Sequence, residues 1–299
     1  MTMETPFLSG FVSLIGRPNV GKSSIMNRLV GEKVAIISSK PQTTRNKIEG
    51  IITTDRYQVI FIDTPGMHKP RNKLGEYMMK VSREALEEVD LVLYIVDASS
   101  GLGRGEKFVI EQLKKVRTSI LLVINKIDLV DQDKLNDIQN QYTDMMDFDG
   151  VIWVSALTGQ NMDKLMDDIL KFLPQGPKYF PDDMITGQPT RVLVSELIRE
   201  KALELLREEI PHGIGVEIDS MEHRDENDVM YIRATIYCEK SSHKGIIIGK
   251  GGKMLKDIGT KARQDIERLL GNRTFIELWV KVKDDWRNNP QTIKTLGYE

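Results

Sequence analysis

The run Gly16-Arg17-Pro18-Asn19-Val20-Gly21-Lys22-Ser23 constrains the fold more than any other stretch of the chain. It fits Gly-x-x-x-x-Gly-Lys-[Ser/Thr], a turn that joins a strand to a helix and wraps phosphate groups. The flanks agree: Phe11-Val12-Ser13-Leu14-Ile15 is a short apolar run suited to a strand, and residues 24–30 have helical spacing. Glycines let the backbone approach closely, so successive N–H groups and the helix N-terminus can face phosphate oxygens. Lys22 would reach the terminal phosphates and the Ser23 hydroxyl would be a magnesium ligand. The candidate nucleotide-binding residues here are Gly16, Arg17, Pro18, Asn19, Val20, Gly21, Lys22, Ser23 and Ser24.

At 299 residues the chain exceeds one ordinary domain. From Phe7 to Leu173 apolar strands alternate with amphipathic helices, which predicts an α/β domain with a mostly parallel sheet and helices on both faces. The expected strands are 11–15, 48–53, 58–62, 91–96, 119–124 and 151–154, with helices at 74–88, 105–116, 134–146 and 162–172. Pro174, Gly176, Pro177, Pro181, Gly187 and Pro189 then break the periodicity. The expected division is a nucleotide-binding domain over 1–173, a linker over 174–190, and a second, α+β domain over 191–299. In that second part a helix over 192–209 precedes two strands, 215–221 and 229–238, joined by the polar run 222–228. A glycine-rich turn, a helix over 254–270 and a strand over 274–282 follow. A formal net charge of −2 excludes a general nucleic-acid coat, so any such contact must be a local patch. The single cysteine, Cys238, excludes an internal disulfide and reads as a small filler of its strand. Nothing approaches the apolar length of a membrane span and no basic-then-apolar leader opens the chain, so a cytosolic compartment is expected.

Asp63-Thr64-Pro65-Gly66 ends one strand, where the Asp63 carboxylate suits a magnesium site and the Gly66 N–H can follow a terminal phosphate. Asn125-Lys126-Ile127-Asp128 ends another, at the edge where open α/β sheets bind ligands. Asp128 can accept two hydrogen bonds from guanine N1–H and the exocyclic amine, whereas adenine would leave buried polar groups unpaired. The Lys126 stem can lie over the base while Asn125 ties its strand to the phosphate loop. Ser155-Ala156-Leu157, after the next strand, can supply a backbone N–H to guanine O6.

In order and approximate spacing these motifs resemble the regulatory GTPases. Lys40-Pro41-Gln42-Thr43-Thr44-Arg45 resembles the first switch, in which a threonine contacts magnesium and the terminal phosphate; Thr44 is favoured over Thr43. The resemblance implies GTP and GDP as ligands, magnesium held by Ser23, Thr44 and Asp63, and Lys22, Asn19, Thr44 and Gly66 as the catalytic set. Many relatives carry a glutamine after Asp-x-x-Gly to orient water. This chain has Met67, so slow hydrolysis is expected. Relatives with an asparagine at the position of Asn19 resemble potassium-activated enzymes, which implies a K+ ion at the phosphates. The four histidines (68, 212, 223 and 243) lack metal-ligand spacing.

In the second part, Ile246-Ile247-Ile248-Gly249-Lys250-Gly251-Gly252 places Gly-x-x-Gly between two helices, a backbone that nucleic acid can approach closely. Five lysines (240, 244, 250, 253 and 256) and no acidic residue lie between Lys240 and Lys256. Lys244, Gly249, Lys250, Gly251, Gly252, Lys253 and Lys256 are therefore the candidate RNA contacts. The order of elements resembles a type II KH fold. A GTPase domain followed by such a domain resembles the Era family over nearly the whole chain, with Val34–Ser38 and the first switch also similar. That resemblance implies a monomer that binds small-subunit (16S) ribosomal RNA near its 3′ end and assists assembly of the small ribosomal subunit. It further implies a cytoplasmic location with peripheral association at the inner membrane. Two alternatives belong to other classes: an RNA-binding anchor whose nucleotide site is largely non-catalytic, and a GTPase whose basic face meets anionic lipid.

Overall fold

The computed structural model describes residues 6–40, 42–224 and 228–298. Pro41 of the first switch and residues 225–227 of the polar run 222–228 lie outside the described residues. The chain divides into two compact units: the first takes in the described residues of 1–35, 44–71 and 78–187, the second those of 36–43, 72–77 and 188–299.

The first unit is built on a six-stranded sheet in the order β2-β3-β1-β4-β5-β6. Its strands are β1 (Leu8–Ile15), β2 (Ile48–Thr53), β3 (Tyr57–Asp63), β4 (Leu91–Asp97), β5 (Ile120–Asn125) and β6 (Gly150–Trp153). β2 runs antiparallel to β3; every other pairing is parallel. The central strand β4 is buried along its whole length, which is why it carries no exposed polar alternation. Helices α1 (Lys22–Val30), α2 (Lys73–Glu84), α3 (Arg104–Leu113), α4 (Gln132–Thr143) and α5 (Met162–Leu170) follow the strands. Ile25 and Met26 of α1 and Leu165 and Ile169 of α5 pack with Val12, Leu93 and Val123 into one apolar cluster. Val109 and Leu113 of α3 and Leu135 and Ile138 of α4 pack with Val92, Tyr94 and Leu122 into another. The sheet thus has helices on both faces, as the alternation predicts.

The stretch read as a linker is largely an edging of this unit. Ser9 N–H donates to the Pro174 carbonyl at 3.1 Å and Ile51 N–H to the Ile185 carbonyl at 2.9 Å. The buried Gln58 side chain accepts from the Tyr179 and Phe180 N–H groups at 2.6 and 3.0 Å. Proline and glycine there prevent regular structure without freeing the backbone from partners.

In the second unit α6 (Thr190–Leu205), α7 (Ser241–Ile248), α8 (Lys253–Leu270) and α9 (Pro290–Thr295) accompany a sheet of β7 (Gly215–Arg224), β8 (Val229–Cys238) and β9 (Arg273–Val282), in that order. β7 and β8 are antiparallel; β9 is parallel to β8 and so needs the crossover that α7 and α8 supply. Leu197, Ile198 and Ala202 of α6 and Ile258, Ala262 and Ile266 of α8 bury one face of the sheet, with Cys238 inside the same cluster. The helix expected to reach Glu209 stops at Leu205, because Leu206 turns extended (φ −91°, ψ 154°) and is itself buried.

Candidate functional site

The carboxyl ends of β1, β3 and β5 lie at one edge of the first sheet, with Leu14 beside Asp63 and Asp97 beside Asn125 in register. The phosphate loop rises from β1 and hands directly to α1, whose N-cap Gly21 has φ 101° and ψ 22°. A Cβ at Gly21 would sit 2.1 Å from Asn125 Nδ2, so only glycine leaves room for the amide. That amide donates to the Val20 carbonyl at 2.9 Å, while its oxygen accepts from the Ala156 N–H at 3.1 Å. Asn125 therefore ties its strand to the phosphate loop, as expected of it, and also holds the 155–157 loop. Lys126 does more than offer a stem: its ammonium donates to the Asn19 carbonyl at 2.8 Å and to Asp97 at 2.6 Å. Against the opposing effect of its own burial, hydrogen bonds from Lys126 and Ser99 hold the Asp97 carboxyl below the usual range. Asp128 stays exposed and accepts from the Ser155 hydroxyl at 2.5 Å, which fixes its carboxylate. A carboxylate so placed can accept from a guanine edge.

In the 16–23 loop, Lys22 is buried and its ammonium donates to the Arg17 carbonyl at 3.2 Å. The Ser23 hydroxyl donates to Asp63 Oδ2 at 2.5 Å; the Thr44 hydroxyl lies 3.3 Å from the same oxygen and 3.1 Å from Ser23 Oγ. Asp63 Oδ1 is buried with no protein hydrogen-bond partner among the described residues. Burial pushes the Asp63 carboxyl above its ordinary range and pulls the Lys22 ammonium below its own, with their mutual attraction opposing both shifts. A buried carboxylate oxygen with an open lone pair beside two hydroxyls fits a hard, oxygen-seeking cation such as Mg2+. When bound, such an ion would supply positive charge beside the phosphates. Of the two switch threonines it is Thr44 that joins this group; the Thr43 hydroxyl instead donates to the Lys40 carbonyl at 2.6 Å.

The Asp63–Gly66 turn is fastened to the same loop. Thr64 donates to the Leu14 carbonyl at 2.8 Å, and a Cβ on Gly66 would come 2.4 Å from Pro18 N. Met67 N–H donates to the Gly16 carbonyl at 3.0 Å while its side chain is fully buried, so it can place no water. His68 is half-buried, with Nδ1 3.0 Å from the Lys69 carbonyl oxygen. Ser24 follows Ser23 within the first turn of α1. Glu106 of α3 was not legible in the sequence: fully buried, it accepts from Tyr94 Oη at 2.7 Å and lies 3.4 Å from the Arg17 guanidinium. It carries no motif; it reads only as one more acidic residue in the first turn of a helix.

The second unit presents a separate face. Gly249, Gly251 and Gly252 all have positive φ (74°, 60° and 77°), and Lys244, Lys250, Lys253 and Lys256 around them are exposed. Beside them a cleft of about 350 Å³ is lined by residues that include Gly252, Lys256, Thr260, Arg263 and Phe275. Thr260 and Arg263 share a face of α8 with Lys256, and Phe275 is an exposed aromatic on β9; the sequence reading overlooked all three. The signal available was the spacing 256, 260, 263 after the glycine loop.

The chain matches the family described as 50S ribosome-binding GTPase over residues 11–126 and the KH domain family over 209–287. It is 56% identical to GTPase Era of Alkaliphilus metalliredigens over 293 residues, 98% of this chain and 99% of that one. It is 55% identical to GTPase Era of Alkaliphilus oremlandii over the same length. Among solved structures it resembles Era in complex with MgGDPNP and nucleotides 1506-1542 of 16S ribosomal RNA, with a TM-score of 0.95 at 39% identity over 98% of this chain and 99% of that one. A single-residue variant of Aquifex aeolicus Era bound to GDP.AlF4- is similar at a TM-score of 0.94, again at 39% identity over 98% and 99% of the two chains. Matched along nearly its full length at 55–56% identity, and carrying the KH domain that accompanies the GTPase domain, the chain belongs to the Era family of GTPases.

Proposed function

We propose that this protein binds and hydrolyses GTP as a slow switch, binds small-subunit (16S) ribosomal RNA near its 3′ end, and assists assembly of the small ribosomal subunit. What carries the reading is that an Era structure with the same fold throughout holds both MgGDPNP and a 16S ribosomal RNA fragment. Lys22 and the backbone of residues 16–24 bind the phosphates; Ser23, Thr44 and Asp63 hold Mg2+; Asn125, Lys126, Asp128 and residues 155–157 bind guanine. Lys244, Gly249–Gly252, Lys253 and Lys256 meet the RNA backbone. The protein works as a monomer in the cytoplasm, with residues 1–173 as the nucleotide domain and 191–299 as the RNA domain. Peripheral association with the inner membrane is a second role for the basic face: Ile246 is 50% exposed among the lysines, although Ile247 is buried. No helix among the described residues is long and apolar enough to cross a membrane. Crosslinking in cells separates the two roles: adducts of the 16S 3′ end at Lys250 are expected. Recovery with the membrane fraction and no RNA adduct would favour lipid as the main partner.

Asn19 (φ 66°) presents its carbonyl to Lys126 at the rim of the phosphate loop. A K+ ion here would supply charge that in other enzymes comes from an arginine. Turnover is expected to be several-fold faster in potassium than in sodium buffer at equal ionic strength, and equal rates would refute the role.

A further inference from the structure

Residues 36–43 adjoin the phosphate-site residue Thr44 in sequence, yet they belong to the second unit, whose boundary falls at the Thr43–Thr44 peptide bond. Three contacts hold them to α6. Ile36 is buried in the apolar cluster that contains Val194, Leu197 and Ile198. Ile37 N–H donates to Glu200 Oε1 at 2.8 Å. At the far end the Arg199 guanidinium donates to the Thr43 carbonyl. The short piece 72–77 is held within the same unit too: Lys73 N–H donates to Asn288 at 3.3 Å, and the Tyr77 ring lies 6.2 Å from that of Tyr298.

Arg199 is an expensive residue to place here. It is fully buried, balanced by Glu196 at 2.8 Å from Nε, and its Nη1 has no hydrogen-bond partner among the described residues. Burying a guanidinium costs several kcal/mol unless its hydrogen bonds are made, and the apolar neighbours Leu197 and Ile198 show that α6 packs well with aliphatic side chains. What an arginine does here that a leucine cannot is grip a backbone carbonyl one bond from Thr44. Glu200 next to it is buried as well, and its partner Lys201 reaches Asp265 of α8 at 2.9 Å.

We propose that Arg199 is a positioning residue for GTP hydrolysis: by gripping the Thr43 carbonyl it holds the Thr44 hydroxyl at Ser23 and Asp63, while Glu200 fixes the start of the same segment. The proposal rests on the reading of Thr44 as the threonine of the magnesium site.

The test uses the full chain with Arg199→Met, Arg199→Lys, Thr44→Ala and the Arg199→Met/Thr44→Ala pair. Affinities for GDP and for a non-hydrolysable GTP analogue are measured across a Mg2+ titration, together with kcat and KM. Thr44 meets the cation and the terminal phosphate, so Arg199→Met is expected to weaken the analogue about 10-fold, raise the Mg2+ requirement and lower kcat. GDP affinity should stay within about twofold of the parent, a split that general destabilisation would not produce. Arg199→Lys should recover part of the loss. The pair should be no worse than Thr44→Ala alone, because both changes remove one interaction. Equal weakening of both nucleotides, no weakening of either, or additive losses in the pair would overturn the proposal. Thr44→Ala without effect on the analogue would instead refute the Thr44 reading, and the proposal with it. Should Arg199→Met fail to fold, Arg199→Gln removes the buried charge with a shorter reach and is judged by the same outcomes.

Discussion

A single methyl group at position 21 is expected to abolish useful nucleotide binding: Gly21→Ala should lose at least ~100-fold in affinity for GTP and GDP alike, the equivalent of ~2.7 kcal/mol. Two effects act together. The backbone at Gly21 sits at φ 101°, where a Cβ costs about 1–3 kcal/mol. That Cβ would also lie 2.1 Å from Asn125 Nδ2, so either the loop or the amide must move. The amide cannot move cheaply, because it ties Val20 to Ala156 and so links the proposed phosphate loop to the proposed base-binding loop. Both halves of the nucleotide site should therefore fail at once, with a lower melting temperature for the nucleotide-free protein. Titration with a fluorescent guanine nucleotide, alongside thermal melting, checks this. Affinity within a few-fold of the parent would mean that the loop geometry is not what holds the phosphates.

Gly251→Asp is expected to separate RNA binding from everything else. Gly251 has φ 60° and ψ 25°, a left-handed conformation that aspartate tolerates better than most residues, and a Cβ there meets nothing within 4 Å. The fold should survive with about 1 kcal/mol lost or less. The new carboxylate would, however, stand among Lys244, Lys250, Lys253 and Lys256, where a phosphate has to come close to the backbone. Losing one charge-assisted phosphate contact of about 1.5–3 kcal/mol predicts roughly 10- to 100-fold weaker RNA binding, with nucleotide affinity and hydrolysis unchanged. The salt dependence should also flatten as cationic contacts are lost. Binding of a labelled 16S 3′-end fragment at several salt concentrations reads all of this.

The sequence motifs were legible where the chemistry is local. Gly16–Ser23, Asp63–Gly66 and Asn125–Asp128 each bring their groups within a few residues, at strand ends that apolar runs announce. Thr44 was favoured over Thr43 by analogy, and the geometry distinguishes them through Ser23 and Asp63. The left-handed glycines at 249, 251 and 252 and the exposed lysines near them were legible for the same local reason. What escaped depends on folding: Arg199 meets Thr43 across 156 positions, and Glu106 meets Arg17 across 89. Neither pair has a spacing to betray it. The 174–187 edging escaped because proline and glycine signal irregular backbone but not whether that backbone finds partners, which Gln58 and Ile51 provide. Arg263 and Phe275 were readable in principle, one from its helical spacing to Lys256 and the other as an apolar residue on the solvent side of a strand.

The central claim is that guanine nucleotide bound at Gly16–Ser23 governs an RNA strand bound at Gly249–Gly252. Its most direct test is the affinity of the full-length protein for the 16S 3′-end fragment with a non-hydrolysable GTP analogue, with GDP and with no nucleotide, at one fixed salt concentration. The account predicts the tightest binding with the GTP analogue, by about 5- to 150-fold over GDP, and loss of that advantage in Arg199→Met. Equal affinity in all three nucleotide states would contradict it.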